Sequence, residues 1–300
     1  MHIYIIGAGA IGKALAVVLH TEGRSVTLIR GSVDNGVAEQ MSIRVLLPDE
    51  SIIEAPVEMQ TLSAFSTLDG IVVLTNKSFG NARLSHSLRA KCGSSPIVLL
   101  QNGLGVEQPF IDQEFNAIYR CVLFVTSQSE NTHTVRFRPV ADCPVGTITG
   151  LPQERDRIVA ALTTPHFRFV TEQNIQPIIW KKAIINSVFN SVCPLLETDN
   201  GIFHRNEAAL DIARTVIAEC LSVAALQGIE LDAHSVEQSL LQISRLSDGQ
   251  LISTLQDIRA HRETEIDTLN LAIARMATHP VVVTNLLGAL TKLKSTLTRL

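Results

Sequence analysis

Two groups of residues in this 300-residue chain have the types and the spacing to do chemistry. The first is a GxGxxG motif that follows an apolar run and opens an apolar helical pattern. Its first glycine permits a tight turn, its second lets backbone amides approach a pyrophosphate, and its third lets helix and strand pack closely. The motif therefore predicts a dinucleotide-binding turn, and a purely structural glycine turn is the alternative. Its six residues are Gly7, Ala8, Gly9, Ala10, Ile11 and Gly12.

The end of the next predicted strand indicates which dinucleotide would bind. An acidic residue there would favour NAD, because a carboxylate accepts hydrogen bonds from the ribose hydroxyls. This chain has Arg30 at that position. A guanidinium can form bidentate, charge-assisted bonds to a 2′-phosphate. Arg30 therefore favours NADP, unless it is simply a solvated arginine at the end of a strand.

The second group lies in the chain's other half, on a predicted helix that is apolar on most faces. Lys182, Asn186 and Asn190 are spaced four residues apart, so they follow one stripe of that helix. Burying an ammonium and two amides without partners is costly, so such a stripe requires a cleft or a ligand. The alternative is the ordinary exposed face of an amphipathic helix. The adjacent Lys181 points elsewhere.

A further helix, predicted over about residues 251–278, carries another polar series with the same spacing. Ser253, Asp257, His261 and Glu265 are four apart, which predicts that they are roughly collinear. A solvated charged face is the simpler interpretation of this pattern. The spacing of His261 and the other histidines shows no metal-ligand pattern, and we expect no metal.

The elements around these residues predict an α/β protein. Residues 1–173 alternate β-rich runs with helical stretches, which is typical of a Rossmann domain with a mostly parallel sheet. One strand is predicted over residues 118–125, and residues 134–139 and 146–150 are expected to form antiparallel strands that close one edge of the sheet. Residues 174–300 carry long apolar-periodic segments and predict an all-helical domain.

Composition excludes several classes of protein. With 46% hydrophobic and 18% charged residues, the chain is neither disordered nor supercharged. A net charge of −4 without blocks of like charge argues against nucleic acid or an anionic membrane as partner. The apolar runs are too short to span a bilayer, and no secretory signal pattern is recognised, so we expect a cytoplasmic protein. Five scattered cysteines are interpreted as ordinary buried or half-buried thiols.

Taken together, the motifs resemble the ketopantoate reductase (2-dehydropantoate 2-reductase) family over nearly the whole chain. The order and separation of the motifs carry the resemblance more than any one of them. They are the Gly7–Gly12 turn, Arg30, Thr75-Asn76-Lys77, Gln101-Asn102-Gly103-Leu104-Gly105, Trp180-Lys181-Lys182 with Asn186 and Asn190, Leu255-Gln256-Asp257-Ile258-Arg259 and Thr264-Glu265-Ile266-Asp267.

The resemblance implies NADPH-dependent reduction of 2-dehydropantoate to (R)-pantoate in pantothenate and coenzyme A synthesis. By resemblance, Lys182 is the general acid that protonates the carbonyl oxygen. Glu265 is expected to bind substrate and cofactor and to assist the lysine. Asn102 is expected near the nicotinamide, and Lys77 contacts cofactor or substrate. The substrate-binding positions are Asn186, Asn190 and Ser253. The domain roles implied are NADP binding for residues 1–173 and substrate binding and catalysis for residues 174–300.

Two alternatives to this function stay open. Gln250 stands where an asparagine substrate ligand is common in the family, which favours an NADP-dependent reductase of another small branched 2-keto acid. The other alternative is a non-catalytic NADPH sensor, which predicts loss of the lysine and acid pair. Lys182 and Glu265 are both present. The expected partners are a small keto acid and, for the chain itself, a monomeric or homodimeric state.

Overall fold

The computed structural model describes residues 1–31 and 34–299. Its contacts divide the chain into two compact units that are not contiguous in sequence. The first unit comprises Met1–Gln101 and Val106–Ile175, and the second comprises Asn102–Gly105 and the chain from Gln176 onward. Four residues of the NG segment are thus separated from their neighbours in sequence and belong to the helical unit.

The first unit is built on one sheet. In the described residues its strands are β1 (His2–Ile6), β2 (Val26–Arg30), β3 (Glu39–Leu46), β4 (Ile52–Thr61), β5 (Gly70–Leu74), β6 (Ile97–Leu99), β7 (Ile118–Cys121), β8 (Val125–Ser129), β9 (Thr134–Pro139), β10 (Cys143–Thr149) and β11 (Phe169–Thr171). Their order across the sheet is β11-β10-β7-β6-β5-β1-β2-β4-β3-β9-β8. The six central strands β7, β6, β5, β1, β2 and β4 run parallel to one another. The Rossmann-type α/β prediction is confirmed.

Among the residues described for this unit, the α-helices are α1 (Ala10–Thr21), α2 (Asn81–Cys92), α3 (Gln108–Asp112) and α4 (Pro152–Leu162). Helix α1 is buried along most of its length because alanines, valines and leucines fill its centre. The central strands β5 and β6 are likewise almost fully buried, as expected for parallel strands covered on both faces. This packing fixes the turn between β1 and α1.

The periphery of the sheet differs from the prediction. The antiparallel hairpin of β3 and β4 was not predicted, because both strands expose alternate polar side chains and β4 contains Pro56. Strands β9 and β10 were expected to close the same edge of the sheet, and that is wrong. β9 pairs with β3 and β8 near one end of the sheet, whereas β10 pairs with β7 and β11 at the other. The strand predicted over 118–125 is two strands, β7 and β8.

The second unit is helical where the structure describes it. Its helices are α5 (Gln176–Leu196), α6 (Ile202–Arg205), α7 (Glu207–Leu226), α8 (Ala233–Leu246), α9 (Ser253–Arg259), α10 (Asn270–Met276) and α11 (Val282–Leu297). Helix α5 is central, since it packs against α7, α9 and α11. Thirteen of its residues are buried, including Trp180, Phe189 and Val192.

The prediction of a single helix over 251–278 is wrong, because the helix ends after α9. The Arg262 N–H donates to the Asp257 carbonyl oxygen at 2.8 Å, and His261 adopts a positive φ of 55°. A bond that spans five residues beside a left-handed residue is the Schellman ending of a helix. A 3-10 turn, Ile266–Thr268, then leads into α10.

Candidate functional site

The glycine turn after β1 is held by steric limits on the backbone. Gly7 has a φ of 120°, and a Cβ atom there would lie 2.5 Å from the Asn76 nitrogen. A Cβ atom at Gly12 would lie 2.0 Å from the Gly7 carbonyl oxygen. The Thr75 hydroxyl donates to that same oxygen at 2.9 Å, which ties the end of β5 to the turn. Side chains are therefore excluded at Gly7 and Gly12 by packing within the unit.

Gly9 is different, because a Cβ atom there would meet nothing within 4 Å. It is the N-cap residue of α1, and no side chain caps the helix there. Ala8 and Ile11 beside it are half-buried, and the helix begins at Ala10. The space over Gly9, together with the N–H groups of the first turn, fits the pyrophosphate of a dinucleotide.

Arg30 lies at the end of β2, as predicted, but its guanidinium already has partners. It forms an ion pair with Glu39 and donates to the Val37 carbonyl oxygen. Only 18% of its side chain is exposed, and its Nε is buried without a hydrogen-bond partner in the described residues. A 2′-phosphate bound here would have to compete with the Glu39 carboxylate. Sequence reasoning missed Glu39 because the strand that carries it, β3, was not predicted.

Lys77 follows β5 and is the N-cap residue of the 3-10 turn Ser78–Gly80. It is half-buried and belongs to the same unit as the glycine turn. An amide network lies beside it: the Asn81 Nδ2 donates to the Gln101 side-chain oxygen at 2.7 Å, and the Gln101 Nε2 donates to the Asn76 carbonyl oxygen at 2.9 Å. This network links the ends of β5 and β6. The side chains of Asn81 and Gln101 are almost fully buried.

The polar stripe of α5 is present, with a gradient of burial along it. Lys182 and Asn186 are half-buried, whereas Asn190 is 4% exposed. The Asn190 side-chain oxygen accepts hydrogen bonds from Thr254 at 2.7 Å and from Ser253 at 3.5 Å. Its Nδ2 donates to the Asn186 carbonyl oxygen at 2.9 Å. Asn190 thus joins α5 to α9 and lies next to Ser253, which is exposed.

Glu265 is brought to the site by a turn and not by a helix. It is half-buried and precedes the 3-10 turn Ile266–Thr268. Its carbonyl oxygen accepts from both the N–H and the hydroxyl of Thr268, each at 3.0 Å. The expected collinear series from Ser253 to Glu265 is therefore wrong. Asp257 is instead buried and bonded to Arg262 at 2.9 Å.

The Asn102–Gly105 segment packs against the Glu265 turn. The Leu104 N–H donates to the Thr268 carbonyl oxygen at 2.8 Å. Gly103 has a φ of 100°, and a Cβ atom there would lie 2.4 Å from the Thr268 hydroxyl oxygen. Helix α5 also contacts the turn Ile266–Thr268. The second unit therefore brings together three predicted features, which are the helix of Lys182, the turn of Glu265 and the segment of Asn102.

The residue types gathered in the second unit are suited to binding a small molecule and to proton transfer. An ammonium and a carboxylate on adjacent elements, with several amides, can orient a small polar molecule and exchange a proton with it. Of the residues predicted to bind the cofactor, the Gly7–Gly12 turn, Arg30 and Lys77 lie in the first unit, whereas Asn102 and Glu265 belong to the second.

Comparison with known sequences decides the family. The family model described as "Ketopantoate reductase PanE/ApbA" matches residues 3–150, and that of "Ketopantoate reductase PanE/ApbA C terminal" matches residues 174–296. The chain belongs to the ketopantoate reductase family. The resemblance drawn from its motifs is confirmed, and the family places the chain among the oxidoreductases.

Curated and solved relatives agree with this family. A 2-dehydropantoate 2-reductase of Pyrococcus abyssi is 28% identical over 283 residues, which cover 92% of this chain and 91% of that protein. A PanE/ApbA family ketopantoate reductase from Ralstonia eutropha JMP134 has a similar fold, with a TM-score of 0.85, 23% identity and full coverage of both chains. D-mandelate dehydrogenase, solved with NADH and anilino(oxo)acetate, has a TM-score of 0.84 at 23% identity, again over both whole chains.

The described residues contain neither a helix suited to span a membrane nor a cluster of side chains suited to hold a metal ion. None of the described helices is both long and apolar enough to cross a membrane. Residues 1–31 and 34–299 hold no group of three or more His, Cys, Asp or Glu residues arranged for a metal ion. All five cysteines are buried free thiols, and burial raises the pKa of Cys92, Cys193 and Cys220 to about 12.

Proposed function

We propose that this family member reduces 2-dehydropantoate to (R)-pantoate with NADPH, as a step of pantothenate and coenzyme A synthesis. The single observation that carries this proposal is the assembly in the second unit. There, the Asn102–Gly105 segment and the helix of Lys182 both pack against the turn that follows Glu265. The family membership supports the class of reaction, and the Pyrococcus abyssi relative bears the name of this reductase.

The residues of the first unit fit a dinucleotide. The open space over Gly9 at the start of α1 suits a pyrophosphate, and the crowded Gly7 and Gly12 hold the turn in place. Arg30 at the end of β2 is the group that would select a 2′-phosphate. Lys77, from the neighbouring strand end, would contact cofactor or substrate.

A bound nicotinamide would supply the hydride to the substrate's carbonyl carbon. The Lys182 Nζ would hold the proton that the carbonyl oxygen receives, and its charge would stabilise the negative charge that develops on that oxygen. Glu265 would keep the lysine charged and positioned. Asn186 and Ser253 would orient the keto acid, and Asn190 would hold Ser253 in place through its side-chain oxygen.

The test is NADPH oxidation by the purified protein with 2-dehydropantoate, run beside pyruvate-like and branched 2-keto acids and with NADH as the control coenzyme. Rapid, selective turnover of 2-dehydropantoate with NADPH is the expected result. Tight NADPH binding without turnover of 2-dehydropantoate would contradict the proposed substrate but would support the proposed cofactor.

A second candidate is reduction of another small branched 2-keto acid. Gln250 favours it, because this exposed residue stands where an asparagine ligand is common in the family. The fold is shared by a D-mandelate dehydrogenase that was solved with NADH and anilino(oxo)acetate. The same panel of keto acids separates the two candidates by their kcat/KM values.

A further inference from the structure

One side chain of the amide network in the first unit uses all of its hydrogen-bonding capacity. Asn81 is 2% exposed and is the first residue of α2. Its Nδ2 donates to the Gln101 side-chain oxygen at 2.7 Å and to the Val106 carbonyl oxygen at 2.8 Å. Its Oδ1 accepts from the Gln101 Nε2 at 2.8 Å and from the Asn76 Nδ2 at 3.4 Å. Both donors and both acceptor positions of this amide are therefore occupied within the unit.

The network holds the backbone at Lys77. Two successive carbonyl oxygens accept from side-chain amides there, that of Asn76 from the Gln101 Nε2 and that of Lys77 from the Asn76 Nδ2, each at 2.9 Å. Because a carbonyl oxygen can only accept, these bonds fix which end of each amide is the nitrogen. The course of the chain after β5 therefore depends on Gln101 and, through Gln101, on Asn81.

The same network holds both flanks of the Asn102–Gly105 segment. Gln101 is the last residue of the first unit before the segment, and Val106 is the first residue of that unit after it. Asn81 bonds to the side chain of one flank and to the carbonyl oxygen of the other. One buried side chain thus joins the two points at which the chain leaves and re-enters the first unit.

A buried ion pair acts on the same stretch from β7. Arg120 is 2% exposed and pairs with Glu107, the residue that follows Val106. Its Nη2 also approaches the Gln101 carbonyl oxygen at 3.4 Å. Two sets of polar contacts, one from α2 and one from β7, therefore fix the flanks of the segment.

The network is not the arrangement that stability alone would favour. The Asn76 Oδ1 is buried and has no hydrogen-bond partner among the residues that the structure describes. An unpaired buried acceptor destabilises the folded state. Turning this amide over would not help, because the oxygen would then face two other oxygens, the Lys77 carbonyl and the Asn81 Oδ1. Such an exception to full pairing is typical of a functional region.

We infer that Asn81 is a positioning residue for dinucleotide binding, which acts through the backbone of Lys77 and through both flanks of the Asn102–Gly105 segment. The inference rests on the proposed function, in which Lys77 contacts cofactor or substrate and Asn102 lies near the nicotinamide. Asn81 is buried and its polar atoms are all engaged, so it acts through these neighbours and not by touching the ligand.

The test compares Asn81→Leu, which keeps a branched side chain and removes every bond of the amide, with Ser85→Ala. Ser85 lies one turn further along α2, is 1% exposed and donates to the Ala82 carbonyl oxygen of its own helix. The dissociation constant for NADPH, measured by fluorescence titration, should rise about tenfold or more in Asn81→Leu. It should stay within about twofold of the unmodified value in Ser85→Ala.

A second variant separates position from stability. Asn81→Leu leaves the polar groups of Gln101 unpaired, so the Tm should fall. In the double variant Asn81→Leu with Gln101→Met both partners are apolar, so part of the lost Tm should return. NADPH affinity should not return, because the backbone carbonyl oxygens of Asn76 and Val106 are still not held. Recovery of affinity in parallel with Tm would show a purely structural role and would overturn the inference.

A double-mutant cycle identifies the group through which Asn81 acts. Lys77→Ala should weaken NADPH binding about tenfold in the unmodified protein and less than about threefold in Asn81→Leu, where the lysine is already displaced. Arg30→Ala is the control, because Arg30 is bonded to Glu39 and lies outside the network. Its effect should be the same in both backgrounds. Equal effects of Lys77→Ala in both backgrounds would contradict the inference.

The readout distinguishes this inference from the proposed function. Coenzyme binding is measured without a keto acid, so absence of 2-dehydropantoate turnover would contradict the proposed substrate alone. The titrations are repeated with NADH, and the coenzyme that binds more tightly is used for the cycle. If neither coenzyme bound, the proposed function and the inference would both be overturned. Binding that Asn81→Leu leaves unchanged would overturn the inference alone.

Discussion

The turn between β1 and α1 and the turn that carries Glu265 both precede helical structure, yet they are specified in different ways. The first is recognisable from six consecutive residues, because Gly7 and Gly12 must lack side chains, although Thr75 and Asn76 at the end of β5 supply part of the crowding at Gly7. The second requires segments remote in sequence, since Asn102–Gly105 and α5 pack against it. A local backbone turn can be recognised from a motif, whereas an assembled turn depends on contacts that no local pattern contains.

Because the two turns are specified differently, we expect substitutions in them to have different effects on stability, cofactor binding and turnover. A substitution at Gly7 or Gly12 of the first turn acts through backbone contacts that cannot relax, so stability and cofactor binding should be lost together. A substitution among the side chains of the second region should leave the fold intact and reduce turnover. The variants below test this contrast, beginning with the largest effect.

Gly12→Ala should be the most damaging single change. Its methyl group would lie 2.0 Å from the Gly7 carbonyl oxygen, which is backbone and cannot move aside. We expect a loss of at least about 3 kcal/mol in the free energy of unfolding, measured by urea denaturation, together with loss of NADPH binding. The matched control is Gly9→Ala, where the methyl group meets nothing and stability should change by less than about 1 kcal/mol. NADPH binding should still weaken in the control, and equal stability of the two variants would contradict the contrast.

Lys182→Ala should lower kcat by about 10²- to 10⁴-fold, because the proton donor to the carbonyl oxygen is removed. The affinity of the Lys182→Ala variant for NADPH, measured by fluorescence titration, should stay close to that of the unmodified protein. Its thermal unfolding temperature should also be unchanged. Lys181→Ala is the control, since the Lys181 ammonium donates to the Ser235 hydroxyl and points elsewhere. Near-normal turnover of Lys182→Ala would remove this residue from the proposed role.

Gly103→Ala tests whether the assembled turn depends on one close contact. The methyl group would lie within 2.7 Å of the backbone oxygen and the side chain of Thr268, at a residue with positive φ. We expect kcat/KM to fall about tenfold or more, with a loss of about 1–3 kcal/mol in stability. In Gly105→Ala the nearest atom is 4.0 Å away, so that control should show only the cost of the left-handed backbone, about 1–2 kcal/mol. Similar kcat/KM values for the two variants would indicate that the Asn102–Gly105 segment does not contribute to the reaction.

Arg30 and Glu39 should have the smallest effects, and these effects should have opposite signs. Arg30→Ala should lower the ratio of kcat/KM for NADPH over NADH about tenfold, because the partner of the 2′-phosphate is lost. Glu39→Gln should raise that ratio by about three- to tenfold, because the carboxylate no longer competes for the guanidinium. Steady-state kinetics with both coenzymes measures the ratio. Equal use of NADH and NADPH by the unmodified protein would contradict the role of Arg30.

Much of the architecture could be predicted because the responsible patterns are local. The buried strands β1 and β5 are short apolar runs between turn signals, and α5 and α7 have clear apolar periodicity. The β3–β4 hairpin was missed because its alternate residues are exposed and polar, which resembles a loop in sequence. Because β3 was not predicted, its residue Glu39 was also missed, and the ion pair of Glu39 with Arg30 changes the interpretation of Arg30.

The candidate site was predictable in its residue types and not in its geometry. The spacing of Lys182, Asn186 and Asn190 identified the stripe, but the internal bonds of Asn190 depend on α9 packing against α5. Continuous helical periodicity concealed the break after Arg259, because the Schellman ending uses His261 and not the glycine that usually marks it. The family resemblance is the basis of the role proposed for Glu265, since helical periodicity predicted the wrong element for this residue.

Because Asn102–Gly105 belongs to the second unit, the boundary between the two units is crossed more than once along the chain, which affects the design of chimeras with a relative. The chain enters and leaves the helical unit in mid-sequence, so a single cut after Ile175 does not separate the two units. A chimera that takes its helices from another family member would pair a foreign residue at position 268 with the native Gly103. Functional exchange therefore needs two grafts, the long carboxyl-terminal one and a four-residue one, transferred together.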